Sequence, residues 1–261
     1  MAKPQIVFLM YHELELPGRA LCQDAPGYVR YVLHAATFRE QMELIKQQGW
    51  RGVGVGEALN YSPQAVAITF DDGCETDLIS AAPILREFGF GATFYITTGF
   101  LGRPGHLSHA QLRELADSGW EIGCHSMTHA YLTDLDEQGL HREIVEAKLQ
   151  LEQIVGRAVE HFSCPGGRYD ARVAETARRA GYRSVVTSRM RANTAQTDRY
   201  ALGRVAVMRS TSSAEFINLC HGRGLKRRDL VSSLLQGTRR LLGNSAYDRI
   251  REVVLGQNST R

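Results

Sequence analysis

Two carboxylates stand side by side at Asp71 and Asp72, in the stretch Ala67-Ile-Thr-Phe-Asp-Asp-Gly-Cys-Glu-Thr-Asp77, straight after an apolar run. Neighbouring side chains on an extended strand point to opposite faces, and adjacent like charges repel. Where the backbone leaves the pleat, with Gly73 permitting a tight turn, both acids can instead converge on one pocket as an acid/base or metal-ligand pair. Taken alone, the pair reads equally well as a solvated turn. The segment Trp120-Glu-Ile-Gly-Cys-His-Ser-Met-Thr-His129 then sets His125 and His129 directly after another apolar run. Residues four apart share one face of a helical turn, so the two imidazoles can reach the same ion. With one aspartate they form a two-His-one-carboxylate set that leaves coordination positions open for water and substrate. Two weaker elements accompany them. His12 closes the first apolar run, where a lone histidine is more often structural, and Phe162-Ser-Cys-Pro-Gly-Gly-Arg-Tyr-Asp170 offers exposed backbone N–H groups at Pro165-Gly166-Gly167.

Such groups need a scaffold that brings strand ends together. Short apolar runs predict buried strands at 5–11, 65–70, 91–96, 121–124, 161–164, 183–186 and 204–208, with a weaker one at 51–55. Amphipathic stretches predict helices at 38–48, 77–88, 109–118, 137–155, 171–180 and 213–220, several ending at a glycine such as Gly89 or Gly119. Strand–helix alternation on this scale means a parallel α/β architecture, and an open doubly wound sheet and a closed barrel both satisfy it. Every chemical element above follows a strand, so all of them fall on one rim, the place where parallel barrels build active sites.

Composition narrows the class. The chain has 261 residues, 43% hydrophobic and 23% charged, with a formal net charge of +3 that is too small to argue for nucleic acid. Five widely spaced cysteines without a CxxC pair do not resemble a disulfide framework and favour a reducing compartment. The opening apolar run, Ile6 to Tyr11, is too short for a signal peptide, and no window approaches a membrane span. A cytoplasmic protein is expected. Beyond Gly222 the composition changes to two basic helical stretches divided near Gly243. This divides the chain into 1–222 and a 223–261 extension that packs on the barrel or makes a peripheral contact with an anionic inner-membrane surface.

Thr69-Phe-Asp-Asp-Gly73 together with His125-Ser-Met-Thr-His129 resembles the first two motifs of the polysaccharide deacetylases, the NodB-homology or carbohydrate esterase family 4 group. The similarity runs from about Ile6 to Met208. It implies a distorted (β/α)7 barrel, with Asp71 as catalytic base and with Asp72, His125 and His129 as ligands of a divalent metal, zinc by preference. It also implies hydrolysis of the N-acetyl amide of amino sugars.

Two departures from the family pattern matter. The third motif carries an arginine that orients the base, followed by Pro-Pro-Tyr-Gly, whereas this chain has Ser163-Cys164-Pro165-Gly166-Gly167. Both the arginine and the tyrosine are missing there. Arg204 is the expected replacement for the arginine, and the Gly166 N–H can still serve as oxyanion donor because that role needs no side chain. The closing Leu-x-x-His motif is not found at Leu219-Cys-His221, but Leu9-Met-Tyr-His12 fits it at the other end of the chain. That order resembles the circularly permuted, exopolysaccharide-type branch, and it makes His12 the expected general acid and His221 incidental. Cys74, Cys124 and Cys164 read as small buried side chains rather than thiolate ligands. His34, His106, His109, His141 and His161 read as surface or loop residues.

The expected mechanism divides the labour. Asp72 and the two histidines hold the ion, Asp71 takes a proton from the attacking water, and His12 returns one to the leaving amine. A saccharide substrate is implied, an N-acetylated sugar of a surface polysaccharide or its lipid-linked precursor. Three rivals remain: a deformylase or other amidohydrolase, a glycan-binding protein with a decayed site, and an iron oxygenase, since the same ligand set suits Fe(II).

Overall fold

The computed structural model describes residues 5–61 and 64–225. The basic extension expected at 223–261 lies outside the described residues from 226 onward. Seven parallel strands carry the fold: β1 (Gln5–Tyr11), β2 (Ala65–Phe70), β3 (Thr93–Ile96), β4 (Glu121–Cys124), β5 (His161–Ser163), β6 (Ser184–Val186) and β7 (Val205–Ala206). They run side by side in chain order from β1 to β6, and β7 returns to the free side of β1 with Leu9 opposite Val205. The ring closes through a narrow seam, where the Leu202 N–H reaches Val185 O at 3.0 Å and the Thr187 N–H reaches Leu202 O at 2.8 Å. This is the distorted barrel expected from the alternation and the family resemblance. β7 is shorter than the run expected at 204–208 because the chain crosses from one neighbour to the other within that stretch.

Alternation along the strands sorts two cores. Ile6, Phe8, Ala65, Ala67, Tyr95, Val186 and Leu202 pack together inside the ring, while Val7, Leu9, Tyr11, Val66, Ile68 and Phe70 face the surrounding helices. On β2 the inward set is therefore 65, 67 and 69, so Asp71 is the next inward position. Outside the ring, Tyr11, Phe70 and Phe94 stack in a row at centroid spacings of 5.3 and 5.2 Å. Helices α1 (Ala35–Gln47), α2 (Ala82–Phe88), α3 (His109–Asp117), α4 (Ala147–Val155), α5 (Ala171–Arg179) and α6 (Ser213–Cys220) cover that layer. α2 and α4 are each preceded by a wide π-helical turn, at Asp77–Ala81 and His141–Glu146.

The lower mouth of the ring is plugged. The strand expected at 51–55 ends at Val53, because Gly54 caps a single helical turn, Val55–Ala58. Glu121 accepts the Val55 and Gly56 N–H groups at 2.9 Å each, placing a carboxylate at a helix start. His161 sits beside it, 3.7 Å from Glu121 and bonded to Ser184 at 2.8 Å. It is buried, not on the surface as expected, since its strand position turns it into the ring floor. Among the described residues no helix is long and apolar enough to cross a membrane.

Candidate active site

The upper rim gathers the loops that follow each strand. Asp71 is buried at the inward position just beyond β2, and its N–H bonds Tyr11 O at 3.0 Å, which places His12 beside it just past the neighbouring strand. Asp72 adopts φ +79°, a left-handed conformation that aspartate tolerates better than most residues. That turn carries the second carboxylate to the same side as the first. Gly73, at φ +77°, completes it, and its carbonyl accepts the Leu107 N–H at 3.0 Å.

Each aspartate has a different partner. Arg204, fully buried, grips Asp71 with two parallel hydrogen bonds, Nη1 to Oδ1 and Nη2 to Oδ2, both 2.7 Å. The guanidinium also donates to Ser163 Oγ at 2.8 Å, Thr69 Oγ1 at 3.2 Å and Thr187 O at 3.3 Å, so its planar fork is held on several sides. Burial alone would raise the Asp71 pKa. Arg204, His125 and His12 outweigh it and hold the carboxyl well below the usual carboxylate range. Asp71 is therefore a locked anion.

Asp72 is left facing the histidines. Its Oδ1 is buried and has no hydrogen-bond partner. It lies 3.7 Å from His125 Nε2 and 3.5 Å from His129 Nε2. One donor atom from each of the three residues falls within 4.8 Å of the others. His125 Nδ1 lies 2.9 Å from Ser163 O; a carbonyl only accepts, so Nδ1 carries the proton and the Nε2 lone pair faces Asp72. Burial lowers the His125 pKa to about 4 against the pull of Asp71 and Asp72, which keeps the imidazole neutral near pH 7. An orphaned buried carboxylate oxygen and a neutral, oriented imidazole fit a divalent cation, and the mixed oxygen and nitrogen donors fit zinc.

The histidine pair is not on a helical turn, contrary to expectation. Residues 125–130 form a loop in which Ser126 (φ +69°) and His129 (φ +63°) are left-handed, and this coil brings the rings to a centroid spacing of 5.0 Å. Glu143, buried in the wide turn before α4, accepts the Met127 and Thr128 N–H groups at 3.0 and 2.8 Å and pins the loop. Met127 O in turn accepts the Gly99 N–H at 2.7 Å.

His12 directly follows β1, beside the strand that leads into the two aspartates. Its ring lies 4.9 Å from that of Tyr31, and Nδ1 is buried without a hydrogen-bond partner. Burial lowers its pKa, while Asp72 and Asp71 draw it back up. Gly166 follows β5 at φ +59° under the exposed ring of Tyr131, since a Cβ built on it would meet Tyr131 Cε1 at 2.8 Å. Tyr131 also lies over Arg168 at 3.2 Å from the guanidinium carbon. An aromatic therefore covers Gly166, the position at which the family's third motif carries its tyrosine. His221 packs against Trp50 at 4.5 Å, away from these groups. Sequence reasoning did not single out Ser163, Glu143 or Tyr131; the first ends β5 three residues before Gly166, and the other two carried no spacing signal.

Residues 58–185 match the family model described as polysaccharide deacetylase, a span that holds Asp71, Asp72, His125, His129 and Gly166 but neither His12 nor Arg204. A Bacillus subtilis protein named for polysaccharide deacetylase, YxkH, is 31% identical over 155 residues, covering 59% of this chain and 56% of that one. A peptidoglycan-N-acetylglucosamine deacetylase of Bacillus cereus is 34% identical over 124 residues, 47% of this chain and 56% of the relative. The chain thus spans about half the length of these curated relatives. Among solved structures, the Streptococcus pyogenes deacetylase PplD in complex with acetate superposes with a TM-score of 0.74 at 21% identity, over 84% of this chain and 99% of that one, a likeness of fold.

Proposed function

Since the chain belongs to the polysaccharide deacetylase, or NodB-homology, family, we propose that its rim hydrolyses the N-acetyl amide of an amino sugar, with a divalent metal, zinc by preference, held by Asp72, His125 and His129. The observation that carries this reading is the asymmetric pair of aspartates, one clamped as an anion by Arg204 and the other buried with an unpartnered oxygen facing two imidazoles. An oxygenase has no use for a clamped carboxylate next to its ligand set, and a decayed site has no reason to keep one.

When bound, the ion supplies Lewis-acid polarisation of the amide carbonyl and makes water more acidic. The chain's own residues do the rest. Asp71, ionised and fixed in orientation by Arg204 and Ser163, accepts the proton of the attacking water at its carboxylate oxygen. Ser163 O keeps His125 in one tautomer through Nδ1. His12 donates a proton to the leaving nitrogen, which amide cleavage requires because an amide anion leaves poorly. The Gly166 loop supplies backbone N–H groups for the developing oxyanion, and Tyr131 offers an exposed ring face for a sugar. The substrate we favour is a surface polysaccharide or its lipid-linked precursor. The position of His12 just after β1 and of Arg204 just before β7, strands far apart in the chain, supports the permuted order of the family's motifs.

The test is bound metal and acetate release measured on the same preparations. Wild-type protein is expected to hold zinc at this site and release acetate from N-acetylglucosamine oligomers, and Asp72→Ala to lose both. Acetate release undiminished in Asp72→Ala would overturn the assignment.

A further inference from the structure

Two residues beyond Asp72 in the chain, Cys74 belongs to a second cluster of metal-ligating side chains. Cys22, Cys74 and His106 each present a donor atom within 4.8 Å of the other two. They come from three different loops of the same rim, following β1, β2 and β3, and Cys22 and Cys74 are 52 residues apart in the chain. All of the described cysteines are free thiols.

The geometry suits an ion better than a bond between the sulfurs. Cys22 Sγ and Cys74 Sγ are 3.6 Å apart. A tetrahedral zinc with Zn–S of about 2.3 Å separates two thiolates by roughly 3.8 Å, whereas a disulfide needs about 2.05 Å. His106 Nδ1 lies 3.2 Å from Pro104 O, so the proton is on Nδ1 and Nε2 keeps its lone pair. The surroundings are built around the cluster. Glu13, almost fully buried, accepts the Cys22 N–H at 2.9 Å and the Tyr28 hydroxyl at 2.9 Å. Tyr28 Oη also lies 3.5 Å from Cys74 Sγ. Gly105, at φ +82°, is the residue on which Cys22 rests, since a Cβ there would stand 2.7 Å from Cys22 Sγ. The Glu75 N–H bonds Gly105 O at 2.8 Å, which joins two of the three loops. Finally, Asp77, whose N–H bonds Cys74 O at 3.0 Å, is buried with both carboxylate oxygens unpartnered. Two buried acids, Glu13 and Asp77, thus flank the thiols, and a cation beside them would offset the cost of their burial.

We propose that Cys22, Cys74 and His106 form a second, thiolate-containing zinc site that clips the β1, β2 and β3 loops together beside the catalytic rim. Binding deprotonates the two thiols, whose protons go to solvent, and the three protein donors leave a fourth position for water or a carboxylate. The clip ties the segment that carries His12 to the turn that carries both aspartates, so its role is positional. Its reliance on thiolates makes it independent of the deacetylase reading.

The test uses full-length protein reconstituted under reducing conditions with Co2+ and, separately, Zn2+. Thiolate-to-cobalt charge-transfer absorption is expected in the wild type and in Asp72→Ala, and it should be lost in both Cys22→Ser and His106→Ala, with folding checked by circular dichroism. Zinc content should fall from two per chain to one in each single variant, and to none in Asp72→Ala/Cys22→Ser. The proposal is overturned by the absence of that absorption in folded wild type, or by zinc content that Cys22→Ser leaves unchanged. It is equally overturned if Cys22 and Cys74 titrate as a disulfide that, once reduced, still takes up no metal. Failure of the catalytic site alone would remove acetate release and leave the thiolate absorption in place.

Discussion

Arg204→Met is the most informative single change, because it removes the guanidinium from Asp71 without touching a metal ligand. Both groups are at most 3% exposed, so the substitution strands a buried carboxylate. Breaking a buried pair in this way costs about 3–5 kcal/mol, which for a domain of this size lowers Tm by about 6–20 °C. The two bonds to Asp71 are joined by those to Ser163, Thr69 and Thr187, so the upper part of that range is expected. A cycle with Asp71→Asn separates the causes: the double variant should recover much of the loss, since a neutral amide no longer needs the cation. Catalysis should fall by about 10²–10⁴ in kcat, the usual worth of a positioned base. Metal content should stay near the wild-type level, because Asp72, His125 and His129 keep their own contacts. Arg204→Lys, which keeps charge but loses the fork, should fold better than Met and still turn over slowly. The assays are thermal melts, metal content by mass spectrometry and steady-state acetate release. Equal losses of turnover and metal in a folded Arg204→Lys would refute the positioning role, and a Met variant as stable as wild type would refute the energetic argument.

Two further outcomes are expected. His12→Gln should reduce kcat by about 10²–10⁴ and leave metal content unchanged; a parallel loss of metal would mean that His12 is a ligand rather than the proton donor. The pH dependence of stability should carry a mark of His161, whose pKa burial lowers against the pull of Glu121. Below about pH 6.5 the unfolded chain takes up a proton that the folded chain refuses, so this residue costs stability progressively as pH falls and costs nothing above that value. Thermal melts from pH 7.5 to 5 should show the wild type losing more than His161→Asn; identical slopes would count against the buried neutral histidine.

The parts of the site legible in the sequence are those that end an apolar run. Asp71, Asp72, His125 and His129 follow strands whose limits are clear from composition, and a parallel barrel sends all such ends to one rim. Arg204 and His12 were reachable only as departures from a family pattern, because a lone arginine or histidine entering or leaving a strand carries no spacing signal. The HxxxH spacing suggested a helix, but the loop uses two left-handed residues pinned by Glu143, a long-range contact that local periodicity does not encode. Cys22 was invisible for the same reason: its partners come from loops far away in the chain. His161 looked peripheral because sequence position cannot tell a ring floor from a surface.

The adjacency of the two aspartates, costly in isolation, follows from this arrangement of partners. Strand parity brings Asp71 inward beneath Arg204, and a left-handed turn at Asp72 swings the second carboxylate to the same side without returning it to the same partner. Arg204 is committed to the first acid by bonds on both oxygens, which leaves the second facing the two imidazoles, that of His125 held neutral by burial and orientation. Nothing among the described residues neutralises Asp72 as Arg204 neutralises Asp71. In the proposed mechanism one carboxylate is thus permanently compensated and receives a proton, and the other takes its compensation from the bound ion. Exchanging the two roles would require the guanidinium to reach past β2, a reach that its bonds to Thr69, Ser163 and Thr187 forbid.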